Sequence, residues 1–102
     1  MNQLYQTQAV ELRSIELLGE KWTLKLLGVL AGGPSRFSTL QHGLGMSSKT
    51  LSKRLKQLEQ HGLITKTIYA QVPLRVEYDL THKGDELVSI LASLSQWEKK
   101  WQ

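Results

Sequence analysis

A chain of 102 residues with 40 % hydrophobic and 22 % charged residues is long enough for one folded domain over residues 1–102, and its composition argues against a disordered tail. The absence of cysteine excludes disulfides, thiolate metal sites and thiol-based redox sensing, and no apolar run approaches the roughly 20 residues that a bilayer span needs. The net charge of +4 is concentrated in residues 36–75, where seven basic residues face one acidic residue, a pattern typical of a protein that binds a polyanion but also of an ordinary solvated surface.

Two helices are predicted in the first third of the chain. Apolar residues such as Val10 and Leu17 fit a first helix over about residues 7–18, and Gly19 suits the left-handed conformation that often ends a helix. Residues 21–30 again place apolar side chains at helical spacing, which predicts a second helix. Two glycines and a proline follow and end it.

A short third helix is predicted after this break. Residues 35–37 are too few for more than a very short strand. Ser38 offers a side-chain oxygen that could cap a helix that extends to Leu44. Glycines at positions 43 and 45 then interrupt the chain, so this helix must be brief.

A fourth helix is predicted over about residues 48–61. Ser47 is placed to cap its start, and Gly62 is placed to end it. The leucines within it lie at positions i, i+4 and i+7, so they form a single apolar stripe. The stripe consists of Leu51, Leu55 and Leu58.

The pattern then changes from helical to alternating. Residues 63–69 are rich in β-branched side chains and residues 75–80 alternate between apolar and polar, which predicts two strands. The connection over residues 70–74 is so short that the strands should pair as an antiparallel hairpin. By alternation, Tyr78 is expected to face the core.

A last helix is predicted over about residues 82–101. Because leucines already supply a core for so small a domain, Trp97 and Trp101 suggest contact with a second copy of the chain. The predicted dimer interface joins the first and last helices and comprises Val10, Leu17, Leu91, Leu94, Trp97 and Trp101. The alternative is that the two tryptophans cover the core of the monomer.

The order of the elements predicts an α+β, mostly helical fold: a winged helix-turn-helix with a β-hairpin wing and dimerisation helices at both ends. On a helical wheel the basic residues of the fourth helix lie opposite its leucines, where they could enter the major groove of DNA. The wing, about residues 69–76, could reach the DNA backbone or the minor groove. The candidate DNA-contacting residues are Arg36, Ser48, Lys49, Ser52, Lys53, Arg54, Lys56, Tyr69 and Arg75. Two alternatives remain open: the lysines could simply face solvent, and Arg75 could pair with a carboxylate near Glu77.

The sequence offers no pattern for catalysis or cofactor binding. His42, His61 and His82 lie on separate predicted elements without a carboxylate at metal-ligand spacing, so we expect them at the surface. The chain also lacks a nucleophile elbow, a phosphate-binding glycine loop and a paired acidic dyad. We therefore expect no enzymatic activity, no metal site and no cofactor.

Four blocks of the sequence, in order, resemble the HxlR-type winged helix regulators of bacteria and archaea. They are residues 19–24 (GEKWTL), 33–40 (GPSRFSTL), 51–59 (LSKRLKQLE) and 72–81 (VPLRVEYDLT), and the match covers about residues 10–98. The resemblance implies a dimeric DNA-binding transcription factor. Its fourth helix would read the major groove, and its first and last helices would build the dimer.

The chain departs from this family pattern at two points. Family members usually have a cysteine just before the first helix, with which some sense electrophiles or oxidants, and its absence here excludes that mode. The usual second glycine before Lys21 and Trp22 is Glu20 in this chain. We expect Glu20 to alter the cap of the first helix without touching the DNA-reading unit.

These observations predict a sequence-specific transcriptional regulator that binds an imperfect palindrome in double-stranded DNA as a homodimer, with any small-molecule effector left open. The alternative is a winged helix that serves as a protein interaction module and binds an acidic partner through its basic face. Salt-dependent binding to one palindrome distinguishes the two. Because the polar start of the chain lacks the apolar stretch of a secretory signal, we expect a cytoplasmic location and no membrane partner.

Overall fold

The computed structural model describes residues 17–102, which form four helices and three short strands from Thr23 onward. In chain order the elements are α1 (Thr23–Leu30), β1 (Ser35–Arg36), α2 (Phe37–Leu44), α3 (Ser48–Gln60), β2 (Ile64–Tyr69), β3 (Arg75–Leu80) and α4 (His82–Lys100). The predicted α+β class is confirmed, with the helix pair α2 and α3 followed by the hairpin of β2 and β3. Of the predicted first helix, Leu17 and Leu18 fall within the described residues and are helical, whereas Val10 lies outside them.

Helix α1 starts two residues later than predicted, at Thr23 instead of Lys21. The cause is the backbone of Trp22, which has a φ of 80° in the left-handed region. A side chain with a Cβ adopts this conformation only where its surroundings enforce it. The Trp22 carbonyl still accepts the first helical hydrogen bond, from the Leu26 N–H at 2.9 Å.

Helix α2 starts at Phe37, so the predicted cap at Ser38 is wrong. Residues 35 and 36 pair with Tyr78 and Glu77 of β3, and the chain passes from this strand directly into the helix. Ser38 therefore lies inside the first turn, and no side chain accepts a hydrogen bond from the start of α2.

Helix α3 has both predicted ends. The Ser47 hydroxyl oxygen accepts a hydrogen bond from the Thr50 N–H at 3.1 Å, which satisfies one of the free donors of the first turn. Gly62 follows the helix with a φ of 71°, a conformation that favours glycine. The three predicted stripe leucines are at most 2 % exposed.

The sheet is antiparallel with the strand order β1-β3-β2. The predicted hairpin is confirmed, and its register places Ile68 opposite Val76. Tyr78 in the central strand is 6 % exposed, as its alternation predicted. Burial, together with the nearby negative charge of Glu59, raises the pKa of Tyr78 above its ordinary value.

Helix α4 is attached to this core through its first turn. Thr81 accepts a hydrogen bond from the Gly84 N–H at 3.0 Å and donates one to the Gly62 carbonyl at 2.6 Å. Gly84 is buried, with its Cα facing the backbone carbonyl of Leu63. The hydrophobic core comprises Leu17, Leu26, Leu27, Leu30, Leu40, Met46, Leu51, Leu55, Leu58, Leu63, Ile64 and Tyr78.

Candidate nucleic-acid interface

The exposed face of α3 carries most of the predicted DNA contacts. Because leucines bury the opposite side of the helix, the polar side chains between them must point outward. The exposed candidates are Ser48, Lys49, Ser52, Lys53 and Lys56. Ammonium groups can donate to phosphate oxygens or to guanine, and serine hydroxyls can both donate and accept, so this face suits the edge of a DNA groove.

Arg54 lies on the same helix but has different surroundings. Its side chain is only 13 % exposed, and its Nη1 lies 2.8 Å from Oε2 of Glu20. The same nitrogen donates to Oε1 of Gln57 at 2.8 Å, and Nε donates to the Lys21 carbonyl at 3.1 Å. Arg54 is thus bound within the subunit, unlike the exposed lysines beside it.

The expectation that Glu20 leaves the DNA-reading unit untouched is wrong. Its carboxylate pairs with Arg54 of α3, so the turn before α1 and the candidate recognition helix are directly connected. Sequence reasoning missed this pair because the two residues are far apart in the chain. The contact with Gln57, three residues after Arg54 on the same helix, had a local signal in the i, i+3 spacing.

The wing places Tyr69 and Arg75 against each other at the end of the hairpin. They are cross-strand partners, and the Arg75 guanidinium lies 3.9 Å from the centre of the Tyr69 ring. Arg75 also lies 3.5 Å from the carboxylate of Glu77, two residues along the same strand. A carboxylate therefore does approach Arg75, and although its Nε is buried, the side chain as a whole is 28 % exposed at the edge of the wing.

Arg36 is brought close to the wing by the pairing of β1 with β3. It is exposed, and its register partner is Glu77. Arg36 and Arg75 both line a groove of about 360 Å³, which is also lined by Ser38 and the wing residues Pro73 and Leu74. The structure thus places two predicted DNA contacts from distant parts of the sequence around one concave surface.

The predicted dimer residues are divided between the core and the surface. Leu17 is 5 % exposed and packs in the subunit core, so it is not part of the exposed apolar surface. Leu91 is half-buried, whereas Leu94, Trp97 and Trp101 are 57 %, 60 % and 71 % exposed. The alternative in which the tryptophans cover the monomer core is therefore wrong.

A groove of about 460 Å³ borders this exposed surface, between α1 and α4. Leu24 and Gly28 line it from α1, and Val88, Leu91 and Leu94 line it from α4. Leu24 is 49 % exposed, so the apolar surface of the subunit extends across both helices.

Residues 17–102 contain neither a cluster of potential metal ligands nor a helix that could cross a membrane. Within this range no three His, Asp or Glu side chains come together in a way that could hold a metal ion. No helix in the same range is both long and apolar enough to cross a membrane. His42 and His82 are exposed and His61 is half-buried, and His82 lies 3.4 Å from Glu86.

Comparison with known proteins matches this chain to helix-turn-helix transcriptional regulators, both through a family model and through individual relatives. The family model described as HxlR-like helix-turn-helix matches residues 17–102. The uncharacterized HTH-type transcriptional regulator YvaP of Bacillus subtilis is 34 % identical over 90 residues, which cover 87 % of this chain and 83 % of YvaP.

Two solved structures extend this similarity to the fold. The reduced form of the transcriptional regulator YodB from B. subtilis is 33 % identical with a TM-score of 0.76, covering 82 % of this chain and 83 % of that one. A MarR-family regulator structure from Enterococcus faecalis V583 is 28 % identical with a TM-score of 0.84, covering 99 % of this chain and 89 % of that one.

Proposed function

Because this chain belongs to the HxlR-like helix-turn-helix family and is a DNA-binding transcriptional regulator, we propose that α3 is its recognition helix and lies in the major groove. The observation that carries the proposal is the exposed face of α3, where three lysines and two serines stand opposite a fully buried leucine stripe. An α-helix fits the width of the major groove, and these side chains can contact both phosphates and base edges.

The wing makes the second contact in this proposal. Arg75 rests on the face of Tyr69, which orders a long cationic side chain before DNA arrives. The groove that Arg75 shares with Arg36 is concave and basic, so it suits the phosphate backbone or the edge of the minor groove.

The functional unit in this proposal is a homodimer. Exposed tryptophans and leucines on α4, next to an apolar groove along α1, form a surface of the composition found in subunit interfaces. A two-fold dimer presents two recognition helices about 34–36 Å apart to one face of the duplex. The operator is therefore an imperfect palindrome with half-sites one helical turn apart. In this proposal the protein has no enzymatic activity and acts in the cytoplasm.

Selection of genomic fragments by the purified protein, followed by binding measurements on the selected sequence, tests the proposal. We expect one palindromic sequence to be enriched and its affinity to fall steeply with salt, because lysines that contact phosphates release counterions. Binding to an acidic protein partner in place of any enriched DNA would support the interaction-module alternative and contradict the proposed function.

A further inference from the structure

Arg54 stands out among the basic residues of α3 because its charge is already neutralised. The carboxylate of Glu20 lies 2.8 Å from Nη1, and two of the three guanidinium nitrogens have partners within the subunit. A phosphate contact by this group would have to compete with these bonds. The exposed Lys53, one residue earlier, has no such contact in the described part of the chain.

Two of the three partners of Arg54, Glu20 and Lys21, belong to a strained turn. Residues 19–22 separate the helical Leu17 and Leu18 from α1, and Trp22 ends the turn with a φ of 80°. Within the turn, Glu20 N–H donates to the Leu17 carbonyl at 3.1 Å. Such a backbone persists only where several contacts hold it, and Arg54 supplies two of them, to the Glu20 side chain and the Lys21 carbonyl.

The turn leads directly to the surface proposed for dimerisation. Leu24 and Gly28 of α1 line the apolar groove shared with α4, so the orientation of α1 helps to place the second subunit. Arg54 joins the turn that precedes α1 to α3. In a dimer, this contact therefore helps to fix the position of each recognition helix relative to the two-fold axis.

We propose that Arg54 is a positioning residue that sets the separation of the two recognition helices and does not contact DNA. This inference rests on the proposed function, since it requires a dimer that binds two half-sites. The positioning role requires the planar guanidinium, whose nitrogens meet the Glu20 carboxylate, the Lys21 carbonyl and the Gln57 amide at the same time. The single ammonium nitrogen of a lysine could not make these three contacts in the same arrangement.

The test uses the full chain and a set of palindromes whose half-sites differ in spacing by single base pairs. One added base pair moves a half-site by about 3.4 Å and turns it by about a tenth of a helical turn, so a rigid dimer should discriminate strongly. We expect native protein to prefer one spacing by about tenfold or more, and Arg54→Ala to reduce this preference below about threefold. Affinity for an isolated half-site, and its dependence on salt, should stay unchanged in Arg54→Ala.

Two further variants separate positioning from charge and from folding. Arg54→Lys retains the charge, so a phosphate contact would survive it, whereas the spacing preference should still be lost. Glu20→Gln leaves Arg54 in place and weakens only the ion pair, and it should reduce the preference in part even if Arg54→Ala fails to fold. Lys53→Ala is the matched control on α3: it should lower the salt dependence on a half-site and keep the spacing preference.

Three results would overturn the inference. The first is an Arg54→Ala protein that keeps its spacing preference but loses half-site affinity and salt dependence as Lys53→Ala does. The second is an Arg54→Lys protein that behaves as native. The third is an Arg54→Ala protein that keeps both its spacing preference and its half-site affinity. A native protein that binds no DNA, or that binds half-sites without any preferred spacing, would instead contradict the proposed function itself.

Discussion

Helices α3 and α4 have similar apolar periodicity but opposite surroundings. Leu51 and Leu55 of α3 are at most 2 % exposed, whereas Leu94 and Trp97 of α4 are 57 % and 60 % exposed. In α3 the subunit itself covers the apolar side, and the polar side is left for DNA. In α4 the apolar side packs against the core as far as Leu91, whereas from Leu94 onward it is left uncovered. Periodicity therefore identifies the apolar side of a helix but does not say whether the same chain covers it.

The largest expected effect comes from truncating a leucine on the covered helix. Leu55→Ala should lower the free energy of unfolding by roughly 2–5 kcal/mol, because it removes buried methyl groups and leaves a cavity. This is a large part of the total stability of a small domain, about 5–15 kcal/mol. Thermal or urea unfolding at low protein concentration measures the difference in unfolding free energy between the native protein and Leu55→Ala.

Leu94→Ala is the matched control for this truncation. It removes the same atoms from an exposed position on α4, so at a concentration at which the native protein sediments as a monomer it should change the unfolding free energy by no more than about 0.5 kcal/mol. Equal losses in Leu55→Ala and Leu94→Ala would contradict the contrast between the helices.

The next effect concerns association. Replacing both Trp97 and Trp101 with alanine should weaken the dimer by at least about 2 kcal/mol, a factor of roughly 30 in the dissociation constant, if these side chains are interface anchors. Sedimentation should then show a folded monomer that binds DNA weakly and without preference for a palindrome.

Leu74→Ala controls for the loss of exposed apolar surface in general. This side chain is 64 % exposed on the wing, away from α4, so its removal should leave the dimer intact. A tryptophan double variant that sediments as a dimer would place the interface elsewhere, and a native monomer at working concentration would remove the argument for a palindrome.

Local patterns were enough to predict most elements but not the contacts that join them. The Ser47 cap, the leucine stripe and the hairpin each follow from residues close together in sequence, and the structure has all three. The start of α2 and the ion pair of Arg54 with Glu20 depend on distant partners, namely strand β3 and the turn before α1. No spacing rule contains that information. The exposed lysines of α3 were predictable because burial of the leucines fixes the rotation of the helix.

A smaller effect tests how α4 is attached to the core. Gly84→Ala would place a Cβ against the backbone carbonyl of Leu63, which cannot move aside as a flexible side chain could. We expect a loss of about 1–3 kcal/mol in unfolding free energy, although alanine normally favours a helix. Gly43→Ala in α2 is the control: its Cβ meets nothing within 4 Å, so it should stabilise by roughly 0.5–1 kcal/mol. Stabilisation by Gly84→Ala would show that the start of α4 is not packed as described.

The smallest effect compares exposed lysines on the two helices. Lys49 is exposed in the first turn of α3, and Lys99 is exposed in the last turn of α4. If Lys49 contacts a phosphate, Lys49→Ala should reduce the slope of log affinity against log salt by about 0.9 for each lost contact in each subunit. For a phosphate contact, the affinity lost in Lys49→Ala should be the same on specific and scrambled DNA. If Lys49 instead contacts a base, the substitution should cost about 1–3 kcal/mol of binding free energy on the specific sequence alone. Lys99→Ala removes an equal charge from the helix proposed for dimerisation and should leave the slope unchanged. Equal reductions from both variants would mean that DNA responds to the overall charge of the subunit and not to the face of α3.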